Sequence, residues 1–198
     1  MLALPALAAG LLALMPEPAQ SRATAGQRLT ATELRDIARR EMLLCENYVA
    51  ATDDCDIITL LRLTPEGAVA ETSTLLVSET PNLQVYIADS SQIEGDRLCS
   101  KLDISRVNFA FTLDGQPAPP ATSAALQLLF MAQLAELDGK TLCQAFFHGD
   151  RPGELREEIT VDGQRRTDLE STYVLREGSE RLKLRPQADT EDKGTTQL

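Results

Sequence analysis

The sequence predicts an α+β fold: antiparallel sheet or sheets with two main helices packed on one face. Three features carry this expectation. A capping box near residue 30 opens an apolar stripe at helical spacing, and residues 121–137 form a long apolar segment. Most of the remaining chain alternates, or is β-branched, between turn signals. The chain has 198 residues, a length at which one domain is usual. Such a chain can bury roughly 70% of its extended surface. Only 4% of its residues are aromatic, so the core must be built from Leu, Ile, Val and Ala.

Residues 2–15 (LALPALAAGLLALM) contain no charged or strongly polar side chain. A membrane span needs about 20 residues, so this stretch fits the apolar region of a secretory signal instead. Small-x-small sites follow at Ala19-Gln20-Ser21 and Ala23-Thr24-Ala25, and cleavage after Ser21 makes 1–21 the expected signal peptide. No Lys or Arg precedes the apolar stretch, which a start upstream of Met1 would explain. Pro5, Pro16 and Pro18 oppose a long retained helix.

Thr30-Ala31-Thr32-Glu33 is the capping box. Leu34, Ile37, Ala38, Met42 and Cys45 follow on one helical face, giving a helix of about 12 residues with Arg39 and Arg40 near its end. Strands are expected at 57–63 and 68–77, joined by the turn Thr64-Pro65-Glu66-Gly67, and again along Leu83, Val85 and Ile87. Val107, Phe109, Phe111 and Leu113 alternate strictly up to Asp114-Gly115. The proline-rich stretch 116–120 leads to the second helix, 121–137, capped by Thr122 or Ser123. That helix is apolar on nearly every face, so it should be buried on most sides or cover a sheet, with Phe130 and Met131 as core residues. Strands at 141–147, 154–161 and 164–176 surround a turn at 148–153 and the hairpin signal Asp162-Gly163. Leu182 and Leu184 mark an edge strand, and 187–198 reads as a disordered tail. A single domain thus spans 28–186.

Two halves, 28–116 and 120–186, share an order of parts. Leu44-Cys45 precedes Tyr48 as Leu142-Cys143 precedes Phe146, and Leu98-Cys99 repeats the pair. A duplicated helix-plus-β-meander unit is one account. Chance recurrence of common residues is the other, and no standard repeat period selects between them.

The four cysteines, Cys45, Cys55, Cys99 and Cys143, lack a CxxC spacing, which removes zinc ribbons and redox dithiols. In an oxidising compartment they read as two disulfides; three pairings are possible, and Cys45–Cys55 with Cys99–Cys143 is the favoured one. The first bridge requires the helix to end near Cys45, because ten helical residues would hold the two about 15 Å apart. Bridges and apolar leader together predict a periplasmic or secreted protein, with no stable membrane span in the mature chain.

Nineteen basic and 30 acidic residues give a net charge of −11. Counterion release therefore cannot drive nucleic-acid binding. No phosphate loop is present, and no cofactor or metal is expected. Asp53, Asp54 and Asp56 have the wrong spacing for a calcium loop and read as solvated. Glu154, Glu157 and Glu158 read as the exposed face of a strand. A glycosidase pair of carboxylates has no selected members, and the chain has no Trp for sugar stacking. The lone histidine, His148, stands with Asp150 in a predicted turn; these two are weak catalytic candidates without a nucleophile motif. The expected role is non-enzymatic binding of an envelope protein, with a free sheet edge accepting a partner strand. The alternatives are an envelope hydrolase built near His148, and a carrier of an apolar ligand between sheet and long helix. The oligomeric state is not set by the sequence.

Overall fold

A computed structural model describes residues 25–186; the expected signal peptide and the tail after Pro186 lie outside them. Helix α1 (Ala31–Arg39) begins at the capping box. The Glu33 N–H donates to Thr30 Oγ1, and the Thr30 N–H donates to the Glu33 carboxylate at 2.8 Å. Leu34, Ile37 and Ala38 form its buried face. The helix stops before Met42, so Cys45 belongs to a strand and not to the helical stripe.

The strands are β1 (Leu43–Glu46), β2 (Asp54–Cys55), β3 (Ile57–Leu63), β4 (Val69–Glu79), β5 (Asn82–Ile93), β6 (Leu98–Lys101), β7 (Asn108–Leu113) and β8 (Gln116–Pro117). After helix α2 (Pro120–Leu134) come β9 (Thr141–His148), β10 (Glu154–Val161), β11 (Gln164–Arg165), β12 (Thr172–Arg176) and β13 (Lys183–Leu184). In the order β1, β3, β4, β5, β6, β9, β10, β12, each strand pairs antiparallel with the next, and β12 returns to β1. The fold is a closed eight-stranded antiparallel barrel and mostly β. It is not the α+β arrangement of two main helices on one sheet face that the residue pattern predicts. The physical reason is that alternation shows which side chains share a face, not whether the last strand edge meets the first. A closed sheet buries its own inner face and leaves no edge in the ring, so it needs no helical layer.

The duplicated helix-plus-meander unit falls with it. The meander runs once around the ring. Helix α1 precedes its first strand, whereas β7, β8 and α2 form an insertion between β6 and β9. The recurrent Leu-Cys pairs reflect the two-residue pleat: Leu44 and Leu98 join the inner core, and each following cysteine is bridged on the other face. Disulfides join Cys45 to Cys55 and Cys99 to Cys143; the latter two lie directly opposite across β6 and β9.

Both ends of the barrel are closed by apolar layers. At one end Leu34, Ile37 and Ala38 of α1 form one cluster with Leu61, Val69, Leu98, Phe146 and Leu155. A helix meeting side chains from five strands must lie across the mouth. At the other end Leu137, Leu102 and Val107 pack with Ile159 and Val161.

Helix α2 departs from expectation. None of its residues is buried, and Leu128 and Leu129 are 69% and 56% exposed. One side packs Leu126 and Phe130 against Leu75, Val85 and Phe111 of β4, β5 and β7. Pro119 precedes it without a side-chain cap; Ser123 Oγ donates instead to the Ala118 carbonyl. Among the described residues, no helix is long and apolar enough to cross a membrane.

Candidate functional site

The pleat determines what lines the barrel. In β10 the odd-numbered residues Leu155, Glu157, Ile159 and Val161 lie opposite His148, Phe146, Gln144 and Leu142 of β9. By the same two-residue period Leu44 and Glu46, Thr59 and Leu61, Glu71 and Ser73, and Tyr173 face inward. Between the apolar end layers they enclose a cavity of about 160 Å³. Its walls combine Leu44, Ile57, Leu61 and Phe146 with Glu46, Glu71, Thr59, Ser73, Gln144 and Tyr173.

Glu46 and Glu71 line this cavity, and a third carboxyl group, Glu157, is bonded to its lining residue Tyr173. Ser171 Oγ donates to Glu46 Oε1 at 2.6 Å, and Ser91 Oγ donates to Glu71 Oε1. The Tyr173 hydroxyl donates to Glu157 Oε2 at 3.0 Å. Glu157 is 4% exposed, and its second oxygen, Oε1, is buried without a hydrogen-bond partner. Leaving a buried carboxyl oxygen without a partner is costly.

Burial raises all three acids, since it penalises the charged form. Glu157 is pushed up to about 8, chiefly by burial, with the charges of Glu46 and Glu71 adding to it. Glu71 is pushed up to about 7 by burial and by Asp89. Glu46 is raised by burial and by Asp56, against the hydrogen bond from Ser171. Tyr173, held among these acids, is raised well above the usual phenol range by burial and their negative charge. No Lys, Arg or His among the described residues lines the cavity. Among the described residues, no three His, Cys, Asp or Glu side chains could hold a metal ion.

Comparison with protein-family models, with curated proteins and with solved structures gives no match to this chain.

The residues singled out from the sequence fall elsewhere. His148 Nε2 lies 3.3 Å from Glu33 Oε1, the carboxylate that also closes the α1 capping box. The pair fastens α1 to the end of β9. Asp150 is exposed in the following turn and makes no described side-chain bond to His148. It borders a groove of about 480 Å³ on the outer wall, where Arg151 pairs with Glu154. Asp54 and Asp56 are not merely solvated: Arg185 bonds both and also donates to the Asn47 carbonyl, which ties the end of the described chain to the Cys45–Cys55 loop. No described cavity is lined by Leu126, Phe130 or Leu134, and the space under α2 is filled by the Phe109, Phe111 and Phe130 rings.

Sequence reasoning missed Glu46, Glu71 and Glu157. Glu157 was the most misleading, because its neighbours Glu154 and Glu158 made the run resemble a solvated face. A signal was present: Leu155, Ile159 and Val161 stand at even spacing from Glu157, which places that glutamate on the apolar side of the strand.

Proposed function

We propose that this is an exported, non-enzymatic binding protein that takes one small ligand into the lumen of its barrel. The observation that supports this most directly is the 160 Å³ internal cavity lined by Glu46 and Glu71, with the buried Glu157 bonded to its lining residue Tyr173. Eight strands enclose an interior just wide enough for side chains or for one small ligand. A cavity of about 150 Å³ elsewhere admits a molecule the size of benzene, which sets the scale of the occupant. The two disulfides are compatible with a periplasmic or extracellular location, where such bonds persist.

The test fills the space. Ser73→Trp should abolish co-purification of any small molecule seen by native mass spectrometry, while wild-type protein recovered from the cell envelope carries one. An empty wild-type lumen under those conditions would defeat the reading.

A second reading is supported by one separate observation. The outer side of α2 presents Leu128 and Leu129 to solvent, a surface suited to an envelope-protein partner. Loss of a cross-linked partner in Leu128→Asp, with lumen binding intact, would favour that reading.

A further inference from the structure

We propose that the occupant of the lumen is a small organic cation, a compact protonated amine held by the carboxyl groups of Glu46 and Glu71, with Glu157 adding its charge from behind Tyr173. The inference rests on the lumen-binding reading above and specifies its ligand. It begins from the inventory of donors. The hydroxyls of Ser91, Ser171 and Tyr173 each give one hydrogen bond to one carboxyl oxygen, and the Ser171 backbone also acts on Glu157. Three carboxyl groups offer more acceptor positions than these hydroxyls satisfy, and Glu157 Oε1 receives nothing. The Thr59 and Ser73 hydroxyls are engaged with each other at 2.8 Å. What the belt lacks is therefore a group that donates several hydrogen bonds and carries positive charge. An ammonium has three donors and no acceptor. The rest of the wall, Leu44, Ile57, Leu61 and Phe146, suits a short hydrocarbon body. The absence of three converging ligands among the described residues favours an organic cation over a bare metal ion.

Every element around the belt has the same electrostatic sign or none. Glu46 comes from β1, Glu71 from β4, Glu157 from β10 and Tyr173 from β12, while Asp89 of β5, opposite Glu71 in the ladder and exposed, adds its negative charge to Glu71. The facing residues of β3 and β9 are the uncharged Thr59, Leu61, Gln144 and Phe146. Burial favours the protonated form of these acids. When an ammonium enters, a carboxylic acid loses its proton to solvent and becomes the carboxylate that pairs with the cation. The balance is one ammonium bound and up to one proton released per acid ionised. Binding must therefore tighten as pH rises toward 8, as long as the amine itself stays protonated.

The experiment is isothermal titration calorimetry on the folded, disulfide-bonded protein with three probes of similar size: n-butylamine, n-butanol and butyrate. Butylammonium should bind at least about tenfold more tightly than butanol, and about tenfold more tightly at pH 8 than at pH 6, with proton release seen as a buffer-dependent heat. Glu157→Gln and, independently, Glu71→Gln should each weaken it by about tenfold or more, whereas Glu158→Gln on the outer face should not. Circular dichroism confirms that each variant is folded. Butanol or butyrate binding as tightly as butylammonium would overturn the cation and leave the lumen reading in place. Butylammonium binding unchanged in both lumen variants would mark a surface effect and overturn the proposal. No binding by any probe would overturn both readings.

Discussion

Glu154 and Glu157 sit three residues apart on β10 and behave as opposites. Glu154 points outward, where Arg151 bonds it and holds its carboxyl below the usual carboxylate range. Glu157 points inward, where burial and the neighbouring acids push it up to about 8. The residue type is the same and the strand is the same; what differs is the face. An odd spacing in a strand places two side chains on opposite sides of the sheet, and closure turns those sides into water and interior. Glu158, next in the chain, faces outward again and lies 3.5 Å from Arg165.

The sharpest way to break this comparison is to delete bulk on each side. Phe146 faces inward, is 2% exposed and packs edge-on against Tyr173, so Phe146→Ala should cost about 3–5 kcal/mol in chemical denaturation. Its neighbour Phe147 faces outward beneath Arg28, and Phe147→Ala should cost less than about 1 kcal/mol. Equal losses would mean that inside and outside have been misassigned.

The next effect is electrostatic, and its sign differs between the two faces. Glu157 and Glu71 have folded-state values above their unfolded ones, so between about pH 4.5 and 8 the native state holds more protons than the unfolded chain. Stability should therefore fall as pH rises across that window, by on the order of a few kcal/mol, and level off above it. Glu157→Gln should flatten this fall and raise the melting temperature at pH 8. Glu154 runs the other way: its contribution is present above the unfolded value and is lost as pH falls through the lowered one. Glu154→Gln should thus lower stability slightly at neutral pH and leave the decline toward pH 8 intact. A wild-type melting temperature that climbs from pH 5 to pH 8 would contradict the buried, uncompensated belt.

The smallest effect belongs to the two helices. Leu128 and Leu129 face solvent, and replacing both with Ser should change stability by less than about 0.5 kcal/mol. Leu34 of α1, 1% exposed, provides the contrast. A large loss at Leu128 and Leu129 would show that something covers α2 in solution.

Much of the local structure could be read from the residues. Thr30 and Glu33 announce α1, Gly67 marks the β3–β4 turn with a φ of 85°, and Asp162-Gly163 turns the chain after β10 with both residues at positive φ. The helical stripe was extended too far, because Met42 and Cys45 continue its spacing by coincidence of the following strand. The strict alternation of 107–113 was real but belongs to the insertion and not to the ring. The all-round apolarity of α2 predicts burial, yet apolarity states what a helix can bury, not what is available to cover it.

The sequence by itself determined the local conformations: where the helices begin, where the strands alternate and where the chain turns. These depend on backbone preference and on neighbours a few positions away. Only the tertiary structure decided that eight strands close into a ring and that Glu46, Glu71 and Glu157 come together inside it. That outcome depends on strand edges meeting across more than 120 residues, from Glu46 to Tyr173, and no short-range pattern records such a distance.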